Sequence, residues 1–215
     1  MKPQIALTFD DGPNTTITPL VLELLEKHGA AGTFFLIGQN INEDSKKVAR
    51  QAFDMGFEIA NHSFTHPDMT KLTPEEIRSE FDRTEALIRE ITGQGSVFFR
   101  PPFILLDQKM YDTIDRCFIC GQGCRDWEPE ATVEERIEGI LTQACDGAIV
   151  LLHDMEGNMR TVEALKTVIP ALAERGYEFV TLSALFAAKH RDPWDKSCRD
   201  QIFSVVNAEG AGSTS

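Results

Sequence analysis

The chain has 215 residues, 42% hydrophobic and 8% aromatic, which supports one substantial core and excludes a disordered or fibrous polypeptide. Thirty-four acidic against 21 basic residues leave a net charge of -13, which repels phosphate backbones and anionic lipid and argues against a nucleic-acid partner. No apolar run approaches the roughly 20 residues that cross a bilayer, so no membrane insertion is expected.

Met1-Lys2-Pro3-Gln4 leads straight into an apolar run without the pattern of an export signal. The chain as given is therefore expected in the cytoplasm, or outside the cell if a leader has been trimmed. Short β-branched or aromatic runs then alternate with amphipathic stretches. Strands are predicted at Ile5 to Phe9, Thr33 to Ile37, Phe57 to Ala60, Val97 to Phe99, Phe118 to Cys120, Ala148 to Leu152 and Tyr177 to Thr181. Between the first two, Leu20, Val21, Leu24 and Leu25 form a helical face that ends at Gly29. Thr73-Pro74-Glu75-Glu76 and Thr132-Val133-Glu134-Glu135 each open a helix with a cap and a capping-box glutamate. A further helix from about Val162 to Arg175 carries Pro170, where a kink is expected.

Periodicity fades after Ala188. A catalytic domain is expected over residues 1–190, followed by an extension over 191–215 whose small, polar end is expected to be disordered. Strands alternating with helices favour a closed or nearly closed α/β barrel, with an open doubly wound sheet as the alternative; both place chemistry at the carboxyl ends of strands. Of the five cysteines, Cys117, Cys120 and Cys124 crowd together, unlike a disulfide framework. A zinc knuckle there would lack its second ligand pair, so reduced thiols are expected.

Ionisable groups recur where these strands end. The first runs into Asp10-Asp11-Gly12-Pro13, two adjacent carboxylates whose mutual repulsion calls for a nearby positive charge, although turn chemistry alone accommodates the motif. The third strand is followed by His62 and His66, four residues apart. On a single turn within a loop, the two rings would share a side and could converge on one ion. Two imidazoles and one carboxylate form a facial set that leaves positions open for water and substrate, which is the stoichiometry of a catalytic metal site. Arg100-Pro101-Pro102-Phe103, Asp126-Trp127 and His153-Asp154 follow three more strands. Each has a solvent or structural reading alone. Five such exits together favour one shared site.

In order, Thr8-Phe9-Asp10-Asp11-Gly12-Pro13, His62-Ser63-Phe64-Thr65-His66, Arg100-Pro101-Pro102-Phe103, Asp126-Trp127 and Leu151-Leu152-His153-Asp154 resemble the five motifs of the polysaccharide deacetylases, the fourth carbohydrate esterase family with its NodB-homology domain. The resemblance spans about Ile5 to Leu185. It implies a distorted seven-stranded (β/α) barrel and a metal-dependent hydrolase that removes N-acetyl groups from an amino sugar polymer or oligomer. Asp11, His62 and His66 would hold the ion, zinc first, with cobalt, nickel or manganese as other candidates. Asp10 would be the general base, Arg100 its partner, His153 the general acid and Asp126 part of the supporting polar network. Phe103, Trp127 and Leu152 would contact substrate, the last two walling an acetyl pocket. Two rivals stand beside this: an O-acetyl esterase on a xylan-like polysaccharide, and a noncatalytic carbohydrate-binding module. The chain departs from the family pattern at Phe103-Ile104, where Tyr and Gly are common. It departs again at Cys120 and Gly123, where a Trp and a second acid are common.

Overall fold

The structure is a computed structural model that describes residues 2–208. The first apolar run forms β1 (Gln4–Asp10), buried on both faces because it is flanked by strands and covered above and below. There follow α1 (Thr18–Lys27), β2 (Gly32–Leu36), α2 (Glu43–Asp54), β3 (Glu58–Asn61), α3 (Pro74–Thr92), β4 (Phe98–Phe99), α4 (Gln108–Thr113), β5 (Cys117–Ile119) and β6 (Gln122–Gly123). The second part comprises α5 (Val133–Gln143), β7 (Ala148–His153), α6 (Met159–Glu174), β8 (Glu178–Phe179), α7 (Leu182–Ala188), α8 (Lys196–Arg199) and β9 (Ile202–Phe203).

The strands pair in parallel in the order β6-β7-β1-β2-β3-β4-β5-β9, with β8 against the start of β1. The sheet curls with helices outside it, giving the α/β barrel of deacetylase type. The period of two sorts its residues. Ile5, Leu7 and Phe9 meet Val150, Leu152 and the helices on one side, while Ala6 meets Phe35, Ala60, Phe98 and Ile149 on the other. Register aligns the strand exits: Asp10 stands opposite Phe35 of β2 and His153 of β7, and Asn61 of β3 opposite Phe99 of β4. The residues that follow β1, β3 and β4 therefore emerge at one rim, beside His153.

Thr73 and Thr132 form their predicted capping boxes, and Asn42 with Ser45 forms a third that opens α2. The helix α6 starts three residues before its predicted position and runs through Pro170 without a break. Cys117 and Cys124 are buried, and burial pushes both thiols up, Cys124 to about 12, so they pack as small hydrophobes.

Residues beyond 190 belong to this core. Cys198, Phe203 and Val206 are buried, and β9 pairs with β5. The Ile149 N–H donates to the Ser204 carbonyl at 3.0 Å and the Val206 N–H to the Gly147 carbonyl at 2.8 Å. This segment thus spans the gap from β5 to β7. β6 and β9, of two residues each, are not among the predicted strands. The disorder expected at the end of the tail falls on residues 209–215, outside those described. Among the described residues no helix is long and apolar enough to cross a membrane.

Candidate active site

Asp11 leaves β1 in the left-handed region (φ 72°), a conformation that a short polar side chain tolerates. Its Oδ1 lies 3.5 Å from His62 Nε2 and 3.7 Å from His66 Nε2. The histidines do not share a helical turn as expected from their spacing. Ser63 and His66 are left-handed (φ 66° and 57°), and side chains hold the loop instead. Asn61 Oδ1 accepts from the Ser63 N–H, Ser63 Oγ from the His66 N–H, and the Glu80 carboxylate from the Phe64 and Thr65 N–H groups. Pro67 disfavours right-handed geometry at His66, so the rings converge through the loop.

This donor set fits a divalent transition ion. One ligand atom from each of Asp11, His62 and His66 lies within 4.8 Å of the others, and the buried Asp11 Oδ1 has no hydrogen-bond partner. His62 Nδ1 donates to the Arg100 carbonyl at 2.7 Å, which leaves Nε2 as the bare nitrogen. Burial holds both imidazoles below their ordinary pKa, in the neutral form that binds metal.

Asp10 is buried beside this set. Arg100, fully buried after β4, donates from Nη1 to Asp10 Oδ1 at 2.5 Å and from Nη2 to Thr8 Oγ1 at 2.9 Å, with its guanidinium over the Phe35 ring. Burial works against the Asp10 charge, yet Arg100, with His153, outweighs it and holds the carboxyl below its ordinary value. Asp10 is thus a carboxylate that can accept a proton.

Facing Asp10 across the β1–β7 pair, His153 shows the opposite balance. Burial opposes its charge, but the Asp126 hydrogen bond and carboxylate, with Asp10 and Asp11, raise its pKa to about 9. Asp126 Oδ1 accepts from His153 Nδ1 at 2.8 Å, while its Oδ2 accepts from the His153 N–H at 2.7 Å and the Thr161 hydroxyl at 2.9 Å. Trp127, 44% exposed, stands edge-on to His153 with ring centroids 5.5 Å apart. Phe103, 63% exposed, packs edge-on against His66 at 4.6 Å. Phe103 and Ile104 are both left-handed, which an L side chain adopts at a cost. From Asp11 and His66 a cleft of about 720 Å³ opens past Thr15, Gln39 and Glu156.

Leu152 does not reach this cleft. It is fully buried on the helix side of β7, and alternation gives Leu151 the face of His153 instead. Asp154, read at first only as part of a motif, is a buried carboxyl that packs on the turn after β1. A Cβ on Gly12 would lie 2.6 Å from its Oδ2, so that turn requires glycine. Thr8, Asn61, Glu80 and Asp154 all shape the site; Thr8 and Asp154 enter the sequence reading only as members of their motifs, while Asn61 and Glu80, isolated polar residues on a strand and a helix, belong to none.

Three converging groups that could hold a metal ion thus stand beside a carboxyl held ionised and an imidazole held protonated. Residues 1–117 match the polysaccharide deacetylase family, and the chain belongs to that family. It is 46% identical to a bifunctional xylanase/deacetylase of Pseudobutyrivibrio xylanivorans over 88% of this chain and 31% of that protein. It is 33% identical to the peptidoglycan-N-acetylglucosamine deacetylase PgdA of Listeria monocytogenes over 86% and 39%. The chain thus spans about a third of the length of these curated relatives. Among solved structures, the Xyl-CE4 domain of a multidomain xylanase from the hindgut metagenome of Trinervitermes trinervoides superposes with a TM-score of 0.92 at 42% identity, over 97% of this chain and all of that one. A family 4 acetyl xylan esterase from Clostridium thermocellum, in complex with a cobalt ion, gives 0.90 at 37% over 94% and 98%.

Proposed function

We propose that this domain removes acetyl groups from an acetylated polysaccharide by metal-assisted hydrolysis, with an O-acetylated xylan-like chain as its substrate. The observation that carries the hydrolysis is the opposed pair at the β1–β7 rim: Asp10 is kept ionised by Arg100 and His153 is kept protonated by Asp126. A divalent ion on Asp11, His62 and His66, zinc foremost, would supply Lewis-acid polarisation of the acetyl carbonyl and a water acidified toward ~7. Asp10 takes the proton of the attacking water. His153 gives its proton to the departing sugar oxygen or nitrogen. Charge that develops on the acetyl oxygen is met by the Phe103 backbone N–H, while Phe103 and Trp127 contact the sugar from either end of the site.

The xylan reading is supported by the 46%, 42% and 37% identities to proteins named for xylan, against 33% for the peptidoglycan deacetylase. The second reading, an N-acetylated chitin-like or peptidoglycan-like chain, is favoured by the strength of the acid: an amine must be protonated before it leaves, and His153 is charged at neutral pH. Acetate release from acetylated xylan and from chitooligosaccharides, after chelation and reloading with zinc or cobalt, separates the two. Release confined to the chitooligosaccharides would replace the ester reading. Tight glycan binding without acetate from any metal-loaded form would make this a noncatalytic carbohydrate-binding module.

A further inference from the structure

The chemistry above leaves one buried charge unused. Arg136 is only 2% exposed, on the inner face of α5 one turn before Ile140, where helical periodicity calls for an apolar residue. Its Nη1 donates to Asn158 Oδ1 at 2.6 Å and to Thr161 Oγ1 at 2.8 Å, and its Nη2 donates to the Glu128 carbonyl at 3.2 Å. These acceptors are all neutral, Nε is buried without a partner, and among the described residues the guanidinium forms no salt bridge. A charge buried this way is expensive unless it acts on something.

The hydrogen bonds show what it acts on. A guanidinium can only donate, so every group that meets it must turn an acceptor toward it. Thr161 therefore presents its oxygen to Arg136, which commits its hydroxyl hydrogen to Asp126 Oδ2 at 2.9 Å. Asn158 presents Oδ1 to Arg136, which commits its amide nitrogen to the His153 carbonyl at 2.9 Å. Asp126 in turn holds the His153 ring and its backbone N–H.

We infer that Arg136 is a positioning residue for the general acid: by donating to both Thr161 and Asn158 it fixes the direction of the Thr161 bond to Asp126 and of the Asn158 bond to the His153 carbonyl. The inference rests on His153 being the proton donor proposed above. A neutral side chain at 136 would release both intermediates to turn. Asp126 would lose a donor and its balancing charge, and the His153 ring would no longer be held in one orientation.

The test uses the metal-loaded protein with Arg136→Met, Arg136→Lys and Thr161→Val. Met and Val are expected to lower kcat by about tenfold or more, within the range lost when a residue supporting an active-site ligand is removed. KM and metal content should stay within about twofold, since Arg136 is buried and is none of the residues proposed to hold substrate or ion. The Nδ1–H proton resonance of His153, identified by its absence in His153→Gln, should shift or broaden in both variants. Lys keeps the charge and one donor direction and should restore kcat to within about threefold of the parent. Should Met fail to fold, the nearly isosteric Val variant carries the same expectation. An unchanged kcat with an unmoved His153 resonance overturns the inference. So does a lowered kcat that Lys does not restore while the resonance stays in place, because Arg136 would then only join α5 to α6. If the parent releases no acetate from any acetylated glycan, the functional reading fails by itself. The resonance still decides the network: movement in Met or Val supports it, and no movement overturns it.

Discussion

Replacing Asp154 with asparagine should flatten the dependence of stability on pH. The carboxyl is fully buried at the end of β7, and burial raises its pKa from the ordinary 3.8 to about 7, with the Thr18 hydroxyl as a donor and Oδ1 unpartnered. In the unfolded chain the group ionises near 3.8, while in the folded protein it stays protonated up to about 7. Between those values the unfolded state has lost a proton that the folded state keeps, so stability falls as pH rises and levels off above the folded value. Each pH unit in that window costs about 1.4 kcal/mol. From pH 5 to pH 8, two units of the window are crossed, a loss of roughly 3 kcal/mol that asparagine cannot show. Asparagine buries an amide with an unpaired N–H, which adds a constant penalty of about 1–3 kcal/mol but no slope. Urea unfolding of both proteins across pH 5–8, with chelator present so that no cation offsets Asp10 and Asp11, gives the difference directly. If the two curves run parallel to within about 0.5 kcal/mol, Asp154 ionises as in the unfolded chain and the reasoning fails.

Other substitutions probe the rim. His66→Ala should weaken zinc or cobalt binding, measured against a chelating dye, by more than the roughly 10–100-fold lost when an outer partner of a ligand is removed. Arg100→Met leaves Asp10 buried without its cation, and should cost about 3–5 kcal/mol in urea unfolding and move the acidic limb of the activity profile upward, since the Asp10 carboxyl is no longer held low. Trp127→Ala removes the edge contact to His153, worth about 0.5–1.5 kcal/mol, so kcat/KM on polymeric substrate should fall by up to about tenfold while metal content is unchanged.

The strands that position the site were legible because they are buried on both faces and so read as continuous apolar runs, as Ile5 to Phe9 and Ala148 to Leu152 do. The rim residues were legible for a different reason: Asp10, Asp11, His62, His66, Arg100 and His153 are ionisable groups directly after such runs, where the register brings them together. Leu152 was misplaced because a run that is apolar on every residue hides which face each side chain takes; only the pairing of β7 with β1 separates Leu151 from Leu152. The geometry of the histidine loop was hidden as well, since it is set by Asn61 and by Glu80 on a distant helix. Arg136 reads as one more charge on a helix until α6 is seen to bring Asn158 and Thr161 against it.

Among the described residues, the strand that completes the barrel follows all the others in the sequence. Without residues 202–206, β5 and the start of β7 present open backbone edges, and the pocket that Phe203 fills between Phe186 and the inner face of the sheet is exposed. Open edges of this kind are where chains pair with one another instead of with themselves. A fusion or truncation that displaces or removes these few residues leaves those edges unpaired and should lower the yield of folded protein.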